Sequence, residues 1–134
     1  MLSNCKIHHV AIICSDYERS RRFYTETLGF KIIQEVYRAE RKSYKLDLQV
    51  GSHSQIELFS FPATPERLSG PEACGLRHLA FEVEDVAAVL AALRAAGVEA
   101  EDIRVDEYTN KRFTFFRDPD MLPLEIYERK ALSP

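Results

Sequence analysis

The sequence predicts an α+β fold: two tandem βαβββ modules forming a paired-sheet domain. An opening motif occurs twice, as HHVAIICSDYERSRRFY from His8 and RHLAFEVEDVAAVLAAL from Arg77, each an apolar strand-like run followed by an acidic helix start. Three further strand-like runs trail each copy. A histidine and a glutamate also recur at nearly constant spacing, Glu57 following His9 by 48 positions and Glu125 following His78 by 47. In a chain of 134 residues each half is small, and a unit of about 65 residues is marginal alone. The halves are therefore expected to form one domain, residues 1–134, as repeats 5–61 and 76–128 joined by a loop, 62–75.

Ile7 to Cys14 is an apolar run with β-branched residues and reads as a largely buried strand. Ser15 and Glu18 fit an S-x-x-E capping box, and Phe23, Tyr24, Thr27 and Leu28 supply a helical apolar stripe. Gly29 stands where a left-handed C-terminal cap belongs. The runs FKIIQEVY, KSYKLDLQV and SQIELFSF give three strands, the last two joined through Gly51 and Ser52. The proline- and glycine-rich stretch from Pro62 to Gly75 reads as the connecting loop.

Leu76 to Val83 repeats the first strand, and Glu84 with Asp85 places negative charge at the start of a helix that buries Val86, Val89, Leu90 and Leu93. Gly97 closes this helix as Gly29 closes the first. VEAEDIRV, KRFTFFRD and LPLEIYE complete the second module, with Asp118, Pro119 and Asp120 as the turn before the last strand.

The composition, 46% hydrophobic and 29% charged, is that of an ordinary globular protein. A net charge of −3 gives no reason to expect nucleic acid, whose binding rests on clustered Lys and Arg. No apolar run reaches the roughly 18–20 residues that span a bilayer, and no signal peptide is visible. A cytoplasmic protein acting on a small molecule, with neither membrane nor nucleic acid as partner, is the expectation. Cys5, Cys14 and Cys74 are odd in number and lack CxxC spacing, which argues against a disulfide framework or thiolate zinc site; Cys14 reads as a small buried hydrophobe.

Strand parity puts His9 on the side of Ala11 and Ile13 and sends His8 the other way. It puts Glu57 beside Gln55, Phe59 and Phe61, and Glu125 beside Pro123 and Tyr127, so both carboxylates are expected among apolar neighbours. A carboxylate so placed must be paired, protonated or bound to a cation. Duplicated modules meeting about a pseudo-twofold axis bring His9, Glu57, His78 and Glu125 towards one point. Two imidazoles and two carboxylates suit Ni, Zn, Co, Mn or Fe with open positions for substrate. A metal there can grip adjacent substrate oxygens and stabilise an enediolate while Glu57 or Glu125 moves a proton. His53, among turn residues, reads as solvated. Arg38, Arg41, Lys45 and Arg112 are candidates for holding an anionic substrate.

With FFRDPD and PLEIYE, these motifs resemble the vicinal oxygen chelate superfamily, the group of glyoxalase I, bleomycin-resistance proteins and extradiol dioxygenases, over almost the whole chain. The resemblance implies one divalent metal per site, Ni or Zn first, held by His9, Glu57, His78 and Glu125, which match the ligand positions of glyoxalase I. Relatives with three ligands lack a glutamate at the place of Glu57, so the glyoxalase branch is implied. So are lyase or isomerase activity and a homodimer, with halves paired within one chain or between two. Ile13 stands where bacterial glyoxalase I carries an arginine that helps hold glutathione, and Ser60 and Phe61 stand near the place of an asparagine. The DPDG turn of the group reads DPDM here, ending in Met121. An iron-dependent extradiol dioxygenase and a small-molecule-binding protein of the bleomycin-resistance type are the alternatives.

Overall fold

The computed structural model describes residues 1–129. The chain divides into two compact units, Met1–Glu66 and Arg67–Pro134, the division falling inside the 62–75 connection. Each unit is a βαβββ module around its own four-stranded mixed sheet. In the first, β1 (His9–Cys14), β2 (Lys31–Arg38), β3 (Ser43–Val50) and β4 (Ser54–Ser60) are ordered β1-β4-β3-β2. In the second, β5 (Leu79–Val83), β6 (Arg104–Val105), β7 (Arg112–Arg117) and β8 (Pro123–Glu128) are ordered β5-β8-β7-β6. In both sheets the first strand runs parallel to the last and the remaining pairs are antiparallel.

One face of each sheet carries the core. Ile12, Leu46, Leu48, Ile56 and Leu58 are buried with Tyr24 in the first unit, and Leu124, Ile126 and Phe116 with Val86, Leu90 and Leu93 of the helix in the second. Each such side chain contributes roughly 1.5–3 kcal/mol. Parity along the strands then commits the alternate residues to the opposite face. The continuous apolar run at β1 is therefore buried on one side only: Ile12 and Cys14 are covered, whereas His9, Ala11 and Ile13 are exposed. This corrects the largely buried strand expected from apolar content, which does not by itself distinguish one covered face from two.

Helix α1 (Tyr17–Arg22) starts at Asp16, whose carboxylate accepts from the Arg19 backbone N–H, and not at the Ser15–Glu18 capping box. Asp85 does the same for Ala88 at the start of α2 (Val86–Ala95). Both caps have nearly identical backbone angles, φ −126° and −128°. An ionised carboxylate at a helix N-terminus also meets the helix dipole, which a serine does not. After α1 the chain widens into a π-turn, Phe23–Thr27, with Leu28 N–H bonded to Phe23 C=O, which accommodates the fully buried Tyr24. Gly29 and Gly97 then take φ of +80° and +83°. At Gly97 the ending is a full Schellman pair, Val98 N–H to Leu93 C=O and Gly97 N–H to Arg94 C=O.

Two expected elements differ. The VEAEDIRV run forms only the two-residue β6 and an isolated bridge from Ala100 to Phe116. Its carbonyls go to side chains instead: Thr114 donates to Glu101 C=O at 2.6 Å and Arg94 to Ala100 C=O at 3.0 Å. The repeat of the first strand begins at Leu79, so His78 stands one residue outside it. The DPDM turn has the expected carboxylate staple, Asp118 accepting from the N–H groups of Asp120 and Leu122 at 2.9 Å each. Met121 is held there at φ +70°, a backbone position that favours glycine.

Candidate metal centre

The open face of each sheet brings one histidine to one glutamate. In the first unit His9 is in register with Gln55 and Ala11 with Glu57. In the second, Ala80 is in register with Glu125, and continuing that register by one residue sets His78 against Pro123. Each histidine thus lies diagonally across a parallel pair from its glutamate, two residues back. The residue beside the glutamate is alanine both times, which leaves room above the sheet for the carboxylate to lean toward the ring.

His9 Nε2 stands 3.5 Å from Glu57 Oε2, and His78 Nε2 3.6 Å from Glu125 Oε2. A hydrogen bond between such groups is normally about 2.7–3.2 Å. Two donors that share an ion at about 2.0–2.2 Å each stand about 3.0–3.5 Å apart. The pairs are therefore spaced more like ligands of a common ion than like donor and acceptor. Both carboxylates are mostly covered, with side chains 15% and 12% exposed. His9 Nδ1 lies 2.9 Å from His8 Nδ1, so the ring is tethered through the nitrogen turned away from Glu57. That contact assigns the roles in the HH pair, His9 beside the carboxylate and His8 behind it.

Among the described residues, no group of three or more His, Cys, Asp or Glu that could hold a metal ion comes together. The four candidate ligands stand as two pairs, one in each unit, and each pair is half of the expected set. His53 lies exposed in the β3–β4 turn.

The neighbours of the two glutamates differ. Directly across from Glu57 on β3 is Asp47, and Lys45 joins them, 2.7 Å from Asp47 and 3.9 Å from Glu57. Two carboxylates in direct register repel, and the Lys45 ammonium offsets this. The apolar setting expected for Glu57 is thus replaced by a charged one. Asp47 was legible as the alternate-face residue of KLDLQ, but its partner required the register. Across from Glu125 is Phe115, whose ring meets His78 edge-on at 5.1 Å, with Phe113 and Tyr127 stacked beyond it. Burial raises the Glu125 carboxyl above its ordinary range, opposed by the nearby His78. Tyr127 donates to Asp106 at 2.9 Å and is bonded to Thr109, which fixes the loop after β6 on the same strand as Glu125.

Residues 6–126 match the Glyoxalase/Bleomycin resistance protein/Dioxygenase superfamily. The chain belongs to this superfamily. It is 60% identical over 123 residues to the uncharacterized protein YwkD of Bacillus subtilis strain 168, covering 92% of this chain and 96% of that one. The crystal structure of a glyoxalase family protein from Enterococcus faecalis superposes with a TM-score of 0.88 at 49% identity, covering 96% of this chain and all of that one. A probable lactoylglutathione lyase of Vibrio parahaemolyticus is 28% identical, over 98% of this chain and 96% of its own length. Membership accounts for the duplicated βαβββ architecture. No helix among the described residues is long and apolar enough to cross a membrane.

Proposed function

We propose that the chain is a metal-dependent lyase or isomerase of the glyoxalase I type, acting on a small substrate through two adjacent oxygens. One observation carries this reading: the same His–Glu diagonal, with ligand-like spacing, occurs in both sheets. The similarity to a probable lactoylglutathione lyase supports it. Two donors hold a divalent ion weakly, so the active form requires both pairs at once. His9, Glu57, His78 and Glu125 are the proposed ligands. A homodimer supplies complete sets whether the halves pair within a chain or across two.

A divalent ion such as Ni or Zn, held by His9, Glu57, His78 and Glu125, would supply Lewis acidity that acidifies a C–H beside the substrate carbonyl. The remaining work falls to side chains. Glu125, its proton affinity raised by burial, is the proton carrier between the two substrate carbons. Phe115, across from Glu125 and backed by Phe113, packs edge-on against the His78 ring and helps keep water from that carboxylate. Glu57, beside Asp47 and within 3.9 Å of the Lys45 ammonium, acts as a fixed ligand in a charged setting.

The test is turnover of methylglyoxal with a panel of thiols by protein reconstituted with Ni, Zn, Co, Mn or Fe, followed by thioester absorbance. Metal-dependent turnover with at least one thiol, lowered about a hundredfold or more in Glu125→Gln, is the expected result. No turnover with any metal–thiol pair would count against the lyase reading. Oxygen uptake with a catechol in the iron-loaded protein would replace it with the dioxygenase alternative.

A further inference from the structure

The four basic residues that the sequence offers as anion holders are not equivalent in the structure. Lys45 is occupied by Asp47 at 2.7 Å and Arg112 by Glu128 at 3.4 Å. Among the described residues, Arg38 and Arg41 have no carboxylate partner. Both instead lie on one pair of stacked rings: the Arg38 guanidinium is 4.9 Å from the Phe59 centroid and 6.0 Å from that of Phe61, and Arg41 is 5.4 Å from Phe61. The 3₁₀ turn Ala39–Arg41, closed by Lys42 at φ +49°, curls Arg41 back toward the strand that carries Phe59.

Two like charges beside one ring repel, and among the described residues no carboxylate lies within ion-pair distance of either. A guanidinium lying on an aromatic face keeps its N–H edge free, in the fork geometry that fits a carboxylate or phosphate. On Arg38 one terminal nitrogen donates to Ser43 Oγ at 2.8 Å, while Nε is buried with no hydrogen-bond partner. The place lacks an acceptor. Phe59 stands two residues beyond Glu57 on the same face of β4, a separation of about 7 Å.

We propose that Arg38 and Arg41 form an anion-binding subsite beside Glu57, taking a carboxylate or phosphate group of the substrate. Given the proposed metal-dependent reaction, the substrate is then larger than a bare two- or three-carbon dicarbonyl. It carries its anionic group roughly one strand repeat, about 7 Å, from the oxygens that react.

The test is titration of the full chain with inorganic phosphate and, separately, succinate, followed by calorimetry and by backbone amide shifts. It is run on protein as purified and again after dialysis against a chelator. Saturable binding of either probe is expected, with shifts at Phe59, Phe61 and the 39–42 turn. Arg41→Met and Arg38→Met should each weaken it about tenfold or more, the loss expected for a charge-assisted hydrogen bond, and Arg112→Met should leave it unchanged. Stronger binding of phosphate points to a phosphate-bearing substrate, and of succinate to a carboxylate. Arg41 is exposed on its turn, so Arg41→Met remains informative if Arg38→Met fails to fold. Absence of saturable binding of both probes, or binding unchanged in Arg41→Met and a folded Arg38→Met, overturns the subsite. Because the titration persists without metal, its failure is distinguishable from failure of the metal reading, which is judged by metal content alone.

Discussion

The two His–Glu pairs share a backbone arrangement and differ in almost everything around it. In each, a histidine reaches diagonally across a parallel strand pair to a glutamate flanked by alanine, at 3.5 Å and 3.6 Å. Opposite Glu57, however, stand Asp47 and its lysine; opposite Glu125 stand phenylalanines. Duplication preserved the part that strand register fixes, the diagonal. It left free the antiparallel neighbour, which sets the charge balance of each carboxylate. One pair geometry has thereby been given two electrostatic settings, which the proposed reaction would use as a fixed ligand in the first unit and a proton carrier in the second.

The sharpest way to break this comparison is to remove each carboxylate charge in turn. Glu125→Gln should lower turnover of the metal-loaded protein by about 10²–10⁴, the usual contribution of a positioned proton carrier. Glu57→Gln should cost less in the proton-transfer step, seen as a smaller primary isotope effect change than in Glu125→Gln. Equal losses in both would erase the division of labour.

The structural equivalence of the modules is tested in their cores. Leu58 and Leu124 are both fully buried on the covered face of the strand bearing the glutamate. Truncating either to alanine should cost about 2–5 kcal/mol in urea denaturation. A loss under about 1 kcal/mol at one of them would mean that its sheet is packed differently.

The helix caps sharpen the same point on a smaller scale. Asp16→Ala and Asp85→Ala should each cost about 1 kcal/mol, whereas Ser15→Ala should cost almost nothing. The reverse ranking would restore the Ser15 capping box.

The smallest effect expected is on pH dependence without metal. Because Glu125 is raised in the folded state, the native protein holds this proton more tightly than the unfolded chain. Its contribution to stability therefore falls as pH rises from the ordinary glutamate range through the folded-state value. Glu125→Gln should accordingly raise the Tm of chelator-treated protein at neutral pH and leave it nearly unchanged at pH well below the ordinary range. A lowered Tm at neutral pH would show that the ionised carboxylate is well accommodated.

Much of this was legible in the residues. The repeated opening motif and the His–Glu spacing identify the module and the two His–Glu pairs, because strand parity decides which side chains share a face. Gly29 and Gly97 mark both helix ends, since a left-handed backbone there leaves few alternatives. What escaped depended on partners distant in sequence. The pairing of Asp47 with Glu57, and of Phe115 with Glu125, follows from register across antiparallel strands, which composition does not encode. The shortening of β6 follows from the Thr114 hydroxyl capturing a carbonyl that a ladder would use. The Asp16 cap was visible only by aligning it with Asp85, since Ser15 offers an equally acceptable local motif.

The central claim is that two His–Glu pairs act as one metal site, and metal stoichiometry tests it most directly. Protein purified without chelator and offered Ni, Zn, Mn and Fe should bind one divalent ion per set of four ligands. His9→Ala and His78→Ala, from opposite modules, should each weaken that binding about a hundredfold or more, beyond the loss typical of outer-shell partners. A wild-type chain that stays metal-free, or binding that survives either substitution unchanged, would contradict the account.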